Sequence, residues 1–156
     1  MHDEIILQFL QGRGPDHKGR YHRDILNFSN EELENSHDYI QWLFPLTEKS
    51  LGMPRSPILE DAEVIERLKV DETVLKNVRA ALECMQSFYT ETEHWLRRNN
   101  HNHRRITRII KSVVLLGLTE EAEDFYTFVL RRVEMAQPVT EESLGFWRDS
   151  IKGIKS

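Results

Sequence analysis

One cysteine, Cys84, in 156 residues rules out an internal disulfide and any zinc cluster built on thiolates. Long apolar runs are absent too. The longest is Val113 to Leu116, followed by Gly117 and Leu118, whereas a bilayer-spanning helix needs about 20 apolar residues. Asp3 and Glu4 stand ahead of the first apolar stretch, a pattern unlike a secretory signal peptide. No segment alternates apolar and polar residues as a half-buried strand would, and no repeat or low-complexity tract is present. An excess of positive charge is also missing: 21 basic residues face 26 acidic ones, a formal net charge of −5. Nothing global therefore points to nucleic acid. What remains is an ordinary globular balance, 39% hydrophobic and 30% charged. These features predict one cytoplasmic domain over residues 1–156.

The hydrophobic period that is present is helical. From Glu72 to Leu96, Val74, Leu75, Val78, Ala81, Leu82, Met85, Phe88, Tyr89, Trp95 and Leu96 recur at three- and four-residue steps. Asp71 is placed as N-cap of this rod, about 37 Å long at 1.5 Å per residue. Ser29 with Glu32 forms a capping box, and the helix it opens is predicted to continue to Pro45. Gly117 suits a left-handed C-cap for a central helix over Ile106 to Leu116. Thr119, followed by Glu120, Glu121 and Glu123, opens another that Pro138 ends, and Thr140 starts a last one carrying Leu144 and Trp147. The fold class is all-α, a bundle of six or seven helices.

Two segments read as loops, Gly12 to Arg20 and Leu46 to Pro57. The second has the length of a lid or binding loop. In the first, Gly14 and Gly19 echo a phosphate-cradling loop, but Arg20 and Tyr21 stand where Lys and Ser or Thr belong and Pro15 removes a donor, so it is a turn.

Charge is most uneven at residues 97–111, RRNNHNHRRITRIIK, which contain no acid. His101, Arg104, Arg105 and Arg108 follow i, i+3, i+4, i+7 and share one helix face. Guanidinium forks near a helix N-terminus suit a phosphate or carboxylate; a solvated or internally paired face is the plain alternative. His101 and His103, two residues apart, would point to different faces of a helix and could ligate with His94 only from a loop, so neither a metal nor another cofactor is expected. His37 falls on a stripe with Leu33, Ser36, Ile40, Leu43 and Phe44, which predicts that it points to the core.

The string His37-Asp38-Tyr39-Ile40-Gln41-Trp42-Leu43-Phe44-Pro45-Leu46, preceded by Leu33-Glu34-Asn35-Ser36, resembles the conserved N-terminal domain of the opioid growth factor receptor family. His101-Asn102, Arg105, Thr107-Arg108-Ile109, Lys111-Ser112 and Leu116-Gly117-Leu118 extend the likeness. So do Pro15-Asp16 with Gly19-Arg20, Ser56-Pro57 with Leu59, Phe88-Tyr89 and Phe146-Trp147-Arg148. It covers about residues 5–149 and is similar to the compact, stand-alone form found in bacteria. Arg104 and the loop Ser50 to Ser56 depart from the family pattern. In animal members the resemblance implies binding of an opioid pentapeptide.

Together these signals predict a non-enzymatic binding module for a small anionic or peptide ligand or a protein partner. His37, Asp38, Gln41, Trp42, Arg98, His101, Asn102, Arg105 and Arg108 are the candidate ligand residues. Trp42, Gln41 and Asp38 are expected to face Asn102, Arg105 and Arg108, either around a ligand or with Asp38 paired to an arginine. Two other classes stay open: nucleic-acid or phosphate binding through 97–111, and an enzyme using His37 or His101 as general base.

Overall fold

The computed structural model describes residues 2–48, 56–97, 100–136 and 141–152. Every regular element among them is a helix: α1 (Asp3–Leu10), α2 (His22–Leu26), α3 (Asn30–Asn35), α4 (Ile40–Leu43), α5 (Ala62–Val70), α6 (Glu72–Glu91), α7 (Asn102–Leu115), α8 (Thr119–Ala136) and α9 (Glu141–Lys152). The all-α class is thus what the period requires. Six of the nine have seven residues or more, and the short α2, α3 and α4 make up the difference from the expected six or seven. The chain forms two compact units, residues 1–84 and 85–156, and α6 runs continuously from one into the other.

In the first unit α1 packs against α4 and α5. Ile6, Phe9 and Leu10 of α1 are fully buried, as are Ile25, Tyr39, Leu43, Phe44 and Leu68. Polar side chains fix the joints. The buried Asp3 carboxylate accepts the backbone N–H groups of Glu60 and Asp61, both at 2.9 Å, just ahead of α5. Asp71 accepts Val74 N–H at 3.1 Å as the expected cap of α6, and its other oxygen accepts from Gln11 Nε2 at 2.9 Å. Its carboxyl is held below the usual range, first by the Gln11 bond and then by that backbone N–H.

The helix expected from Ser29 to Pro45 is two short ones. The Ser29–Glu32 capping box forms, with reciprocal bonds of 3.1 and 3.0 Å. At Ser36, however, the backbone turns extended (ψ 132°) and α3 ends. Tyr39 Oη donates to the carbonyl of Leu33 at 2.5 Å, satisfying an acceptor that a continued helix would have used internally. The apolar period persists across the break, with Leu33 on one side and Ile40, Leu43 and Phe44 on the other all buried.

The second unit takes in the end of α6 and α7 to α9, with α7 packed on both α8 and α9. Ile106, Ile109, Ile110 and Val113 of α7 are fully buried, matching its expected central place. Gly117 closes it with φ +84°, a conformation that costs a side-chain-bearing residue about 1–2 kcal/mol. The long rod ends earlier than Leu96. After Glu91 the chain leaves α6, and Trp95 folds back so that Nε1 donates to the carbonyls of Tyr89 and Thr92 at 3.2 and 3.0 Å. Pro138 and Thr140 lie outside the described residues. No described helix is long and apolar enough to cross a membrane.

Candidate functional site

The first unit holds a cavity of about 500 Å3, lined by His2, Ile5, Asp16, His17, Lys18, Asp38, Gln41, Trp42, Ser56 and Pro57. Three segments supply its charged and aromatic wall. Ahead of α4, the break after α3 delivers Asp38; α4 itself presents Gln41 and Trp42. The Gly12 to Arg20 loop supplies the opposite charges. The Trp42 ring packs edge-on against Phe9 of α1 (5.4 Å between centroids) and lies parallel to the His17 ring (5.8 Å, 2°).

The loop that carries His17 and Lys18 is organised by one carboxylate. Asp16, whose side chain is 0% exposed, accepts from the backbone N–H groups of Lys18 and Arg20, both at 2.9 Å, and from Arg20 Nε at 2.7 Å. Gly19 takes φ +76° to complete the turn, donating from its N–H to the Asp16 carbonyl at 3.1 Å. Arg20, so fixed, reaches Asp38: Nη1 to Oδ1 at 3.2 Å and Nη2 to the Asp38 carbonyl at 3.4 Å. Lys18 Nζ pairs with Asp38 Oδ2, and His17 Nε2 lies 3.4 Å from the same oxygen. Burial alone would raise the Asp38 pKa, but the Lys18 and Arg20 cations outweigh it and hold the carboxyl below its usual range. The cations on Asp38 thus come from the neighbouring Gly12 to Arg20 loop. A buried Asp accepting N–H groups within its own turn is an Asx signal, and Pro15-Asp16 with Gly19-Arg20 was the part of the sequence that carried it.

His37 is corrected by the helix break. It is exposed rather than core-facing, and its carbonyl accepts from Gln41 Nε2 at 3.3 Å. The histidines that line the cavity are His2 and His17. Of the long loop, 49–55 lies outside the described residues; at its ends Leu46 is buried and its carbonyl accepts from Leu59 N–H at 2.9 Å.

The second unit contains Asn102 and Arg105 in a different setting. Asn102, 0% exposed, accepts through Oδ1 from Tyr89 Oη (3.1 Å) and Arg105 Nη1 (3.3 Å). Its Nδ2 and its backbone N–H both donate to Asn100 Oδ1 at 2.9 Å. His101, the N-cap position of α7, is exposed beside it, and Arg98 lies outside the described residues. The expected cationic face divides: Arg104 is exposed, whereas Arg105 and Arg108 are each only 7% exposed. Such a stripe looks the same in sequence whether its cations meet water or buried acceptors.

His103 is the residue here that spacing did not single out for structure. Nε2 lies 2.7 Å from the Trp95 carbonyl, to which it must donate, so Nδ1 accepts from Ser143 Oγ at 2.9 Å. The Trp147 indole N–H donates to the His103 carbonyl at 3.1 Å, and the two rings meet edge-on at 5.4 Å. Burial first, then the charge of His101, depresses its pKa against the opposing Trp95 bond, which favours this neutral bridge. Among the described residues no group of three His, Cys, Asp or Glu side chains is placed to hold a metal ion.

Residues 16–92, which include the whole Asp16 loop and the Asp38–Trp42 wall, match the sequence model described as the opioid growth factor receptor (OGFr) conserved region. The mouse opioid growth factor receptor-like protein 1 is 29% identical over 160 residues, covering 88% of this chain and 34% of its own length. The rat opioid growth factor receptor is 32% identical over 116 residues, covering 63% of this chain and 20% of its own. The human opioid growth factor receptor is 33% identical over 105 residues, covering 55% and 15%. This chain therefore spans about a third of the first of these relatives and a fifth or less of the other two. No solved structure matches it.

Proposed function

Given a chain that belongs to the opioid growth factor receptor family through the conserved region it carries, we propose that it is a non-enzymatic binding module whose cavity takes a short peptide. The observation that carries this reading is Trp42 in a cavity of about 500 Å3, stacked on His17, with Asp38 and Lys18 beside it. That volume falls in the range of small-ligand sites, about 300–1,000 Å3. A parallel pair of rings offers an apolar face to a side chain, and a charged pair at one end fixes direction. The relatives' name, a receptor for an opioid growth factor, agrees with a peptide. A cytoplasmic location belongs to the same proposal, since a lone cysteine suits a reducing compartment.

Binding of a panel of short peptides, the opioid pentapeptide included, tests it by thermal shift and calorimetry. A peptide at 100 times its Kd should raise the midpoint by about 5–10 °C. His17→Ala, at an exposed position, should weaken that peptide about tenfold by removing half of the ring pair. A flat panel would remove the reading.

A further inference from the structure

The two oxygens of Asp38 have unequal partners. Oδ1 meets Arg20, which Asp16 anchors in turn, and the Arg20 side chain is 17% exposed. Oδ2 carries His17 and the Lys18 ammonium, and all three residues line the cavity. Lys18 is 58% exposed, whereas the carboxylate it covers is 10% exposed. The exposed lysine is the more loosely held member of such a pair, because water solvates it well and its long side chain loses freedom when paired. A largely buried carboxylate, in contrast, favours having a cation on it. Lys18 is therefore the exchangeable member, and what replaces it must resemble it.

The remaining geometry narrows that cation. With Oδ1 already occupied by Arg20, a bidentate guanidinium finds one oxygen rather than two, which favours a compact ammonium. An incoming carboxylate would meet Asp38, while the charge of Arg20 is already shared between Asp16 and Asp38. Next to Oδ2 stands the His17–Trp42 ring pair, and Ile5 and Pro57 add apolar lining.

We propose that Lys18 is a resident stand-in for a ligand's amino terminus: a short peptide enters with its N-terminal ammonium displacing Lys18 Nζ from Asp38 Oδ2, its first side chain lying against His17 and Trp42. The inference rests on the peptide reading above and adds the terminus that is recognised and the side chain that gives way. Arg20 stays in place, and Lys18 swings into solvent.

Calorimetry with the tripeptide amide Phe-Ala-Leu-NH2, free or N-acetylated, tests the exchange. Wild-type protein should bind the free amine about tenfold more tightly than the acetylated form. Lys18→Met should tighten the free amine about fivefold, since nothing need be displaced, and so widen its preference over the acetylated form. Asp38→Asn should abolish the preference; if that variant does not fold, the Lys18→Met comparison decides by itself. Equal affinities for the two forms in wild type, or a Lys18→Met protein that binds the free amine no better, overturns the exchange while leaving peptide binding intact. No binding of either form to wild type or Lys18→Met removes the exchange, and a panel that is flat as well removes the peptide reading beneath it.

Discussion

At the scale of single residues, the chain keeps an uncharged histidine in its interior at measurable cost in acid. His22, 3% exposed, packs against Phe9 at 5.6 Å, and its Nε2 has no hydrogen-bond partner among the described residues. Burial pushes its pKa from 6.5 down to about 4. Between those values the unfolded chain takes up the proton and the folded chain does not. Stability is then fully present above pH 6.5 and is lost as pH falls towards 4, by up to about 3 kcal/mol. Urea unfolding at pH 7 and pH 4.5 checks this: His22→Phe, which keeps a ring against Phe9, should lose clearly less stability between the two than wild type does. Asp16 works in the opposite sense, as a buried charge fully used. Asp16→Ala should destabilise by about 3 kcal/mol, read by the same denaturant midpoint, because Arg20 and two loop N–H groups lose their acceptor together.

Elements show where sequence suffices and where it does not. Caps are local, so Asp71, the Ser29–Glu32 box and Gly117 are readable from neighbours a few residues away. The break between α3 and α4 is not, because apolar spacing carries through it and the compensating Tyr39–Leu33 bond has no sequence signature. Half of the candidate site was legible for the same reason: Asp38, Gln41 and Trp42 stand in one dense string, whereas their loop partners His17, Lys18 and Arg20 are made visible only by folding. The start of α7 is likewise a tertiary fact. Asn102→Ala should cost about 2–3 kcal/mol, since Tyr89 Oη and Arg105 lose a buried acceptor at once. A double-mutant cycle with Tyr89→Phe should return a coupling of about 1 kcal/mol, and additivity there would refute the network.

For the whole molecule, α6 is the informative element. Its buried residues belong to both units: Val74, Val78 and Ala81 to the first, Met85, Phe88 and Tyr89 to the second. A helix gains stability mainly from its packed face, so melting one unit strips packing from a rod that the other needs. We propose on this ground that residues 1–156 unfold as one cooperative domain, with equal calorimetric and van't Hoff enthalpies. Two resolved heat-capacity peaks would instead make the units separate domains.

The turn from Asp16 to Arg20 also separates what can vary from what cannot. Asp16, Gly19 and Arg20 hold the backbone, whereas His17 and Lys18 line the cavity with exposed side chains, so under the proposed peptide binding scaffold and specificity would occupy different letters of one five-residue word. A library randomised at 17 and 18 would stay rich in folded proteins while ranging widely in what they bind; one randomised at 16, 19 and 20 would be poor in both. The loop sets two exposed side chains on a hydrogen-bonded frame, and a design that gives this protein a chosen ligand would begin with those two positions.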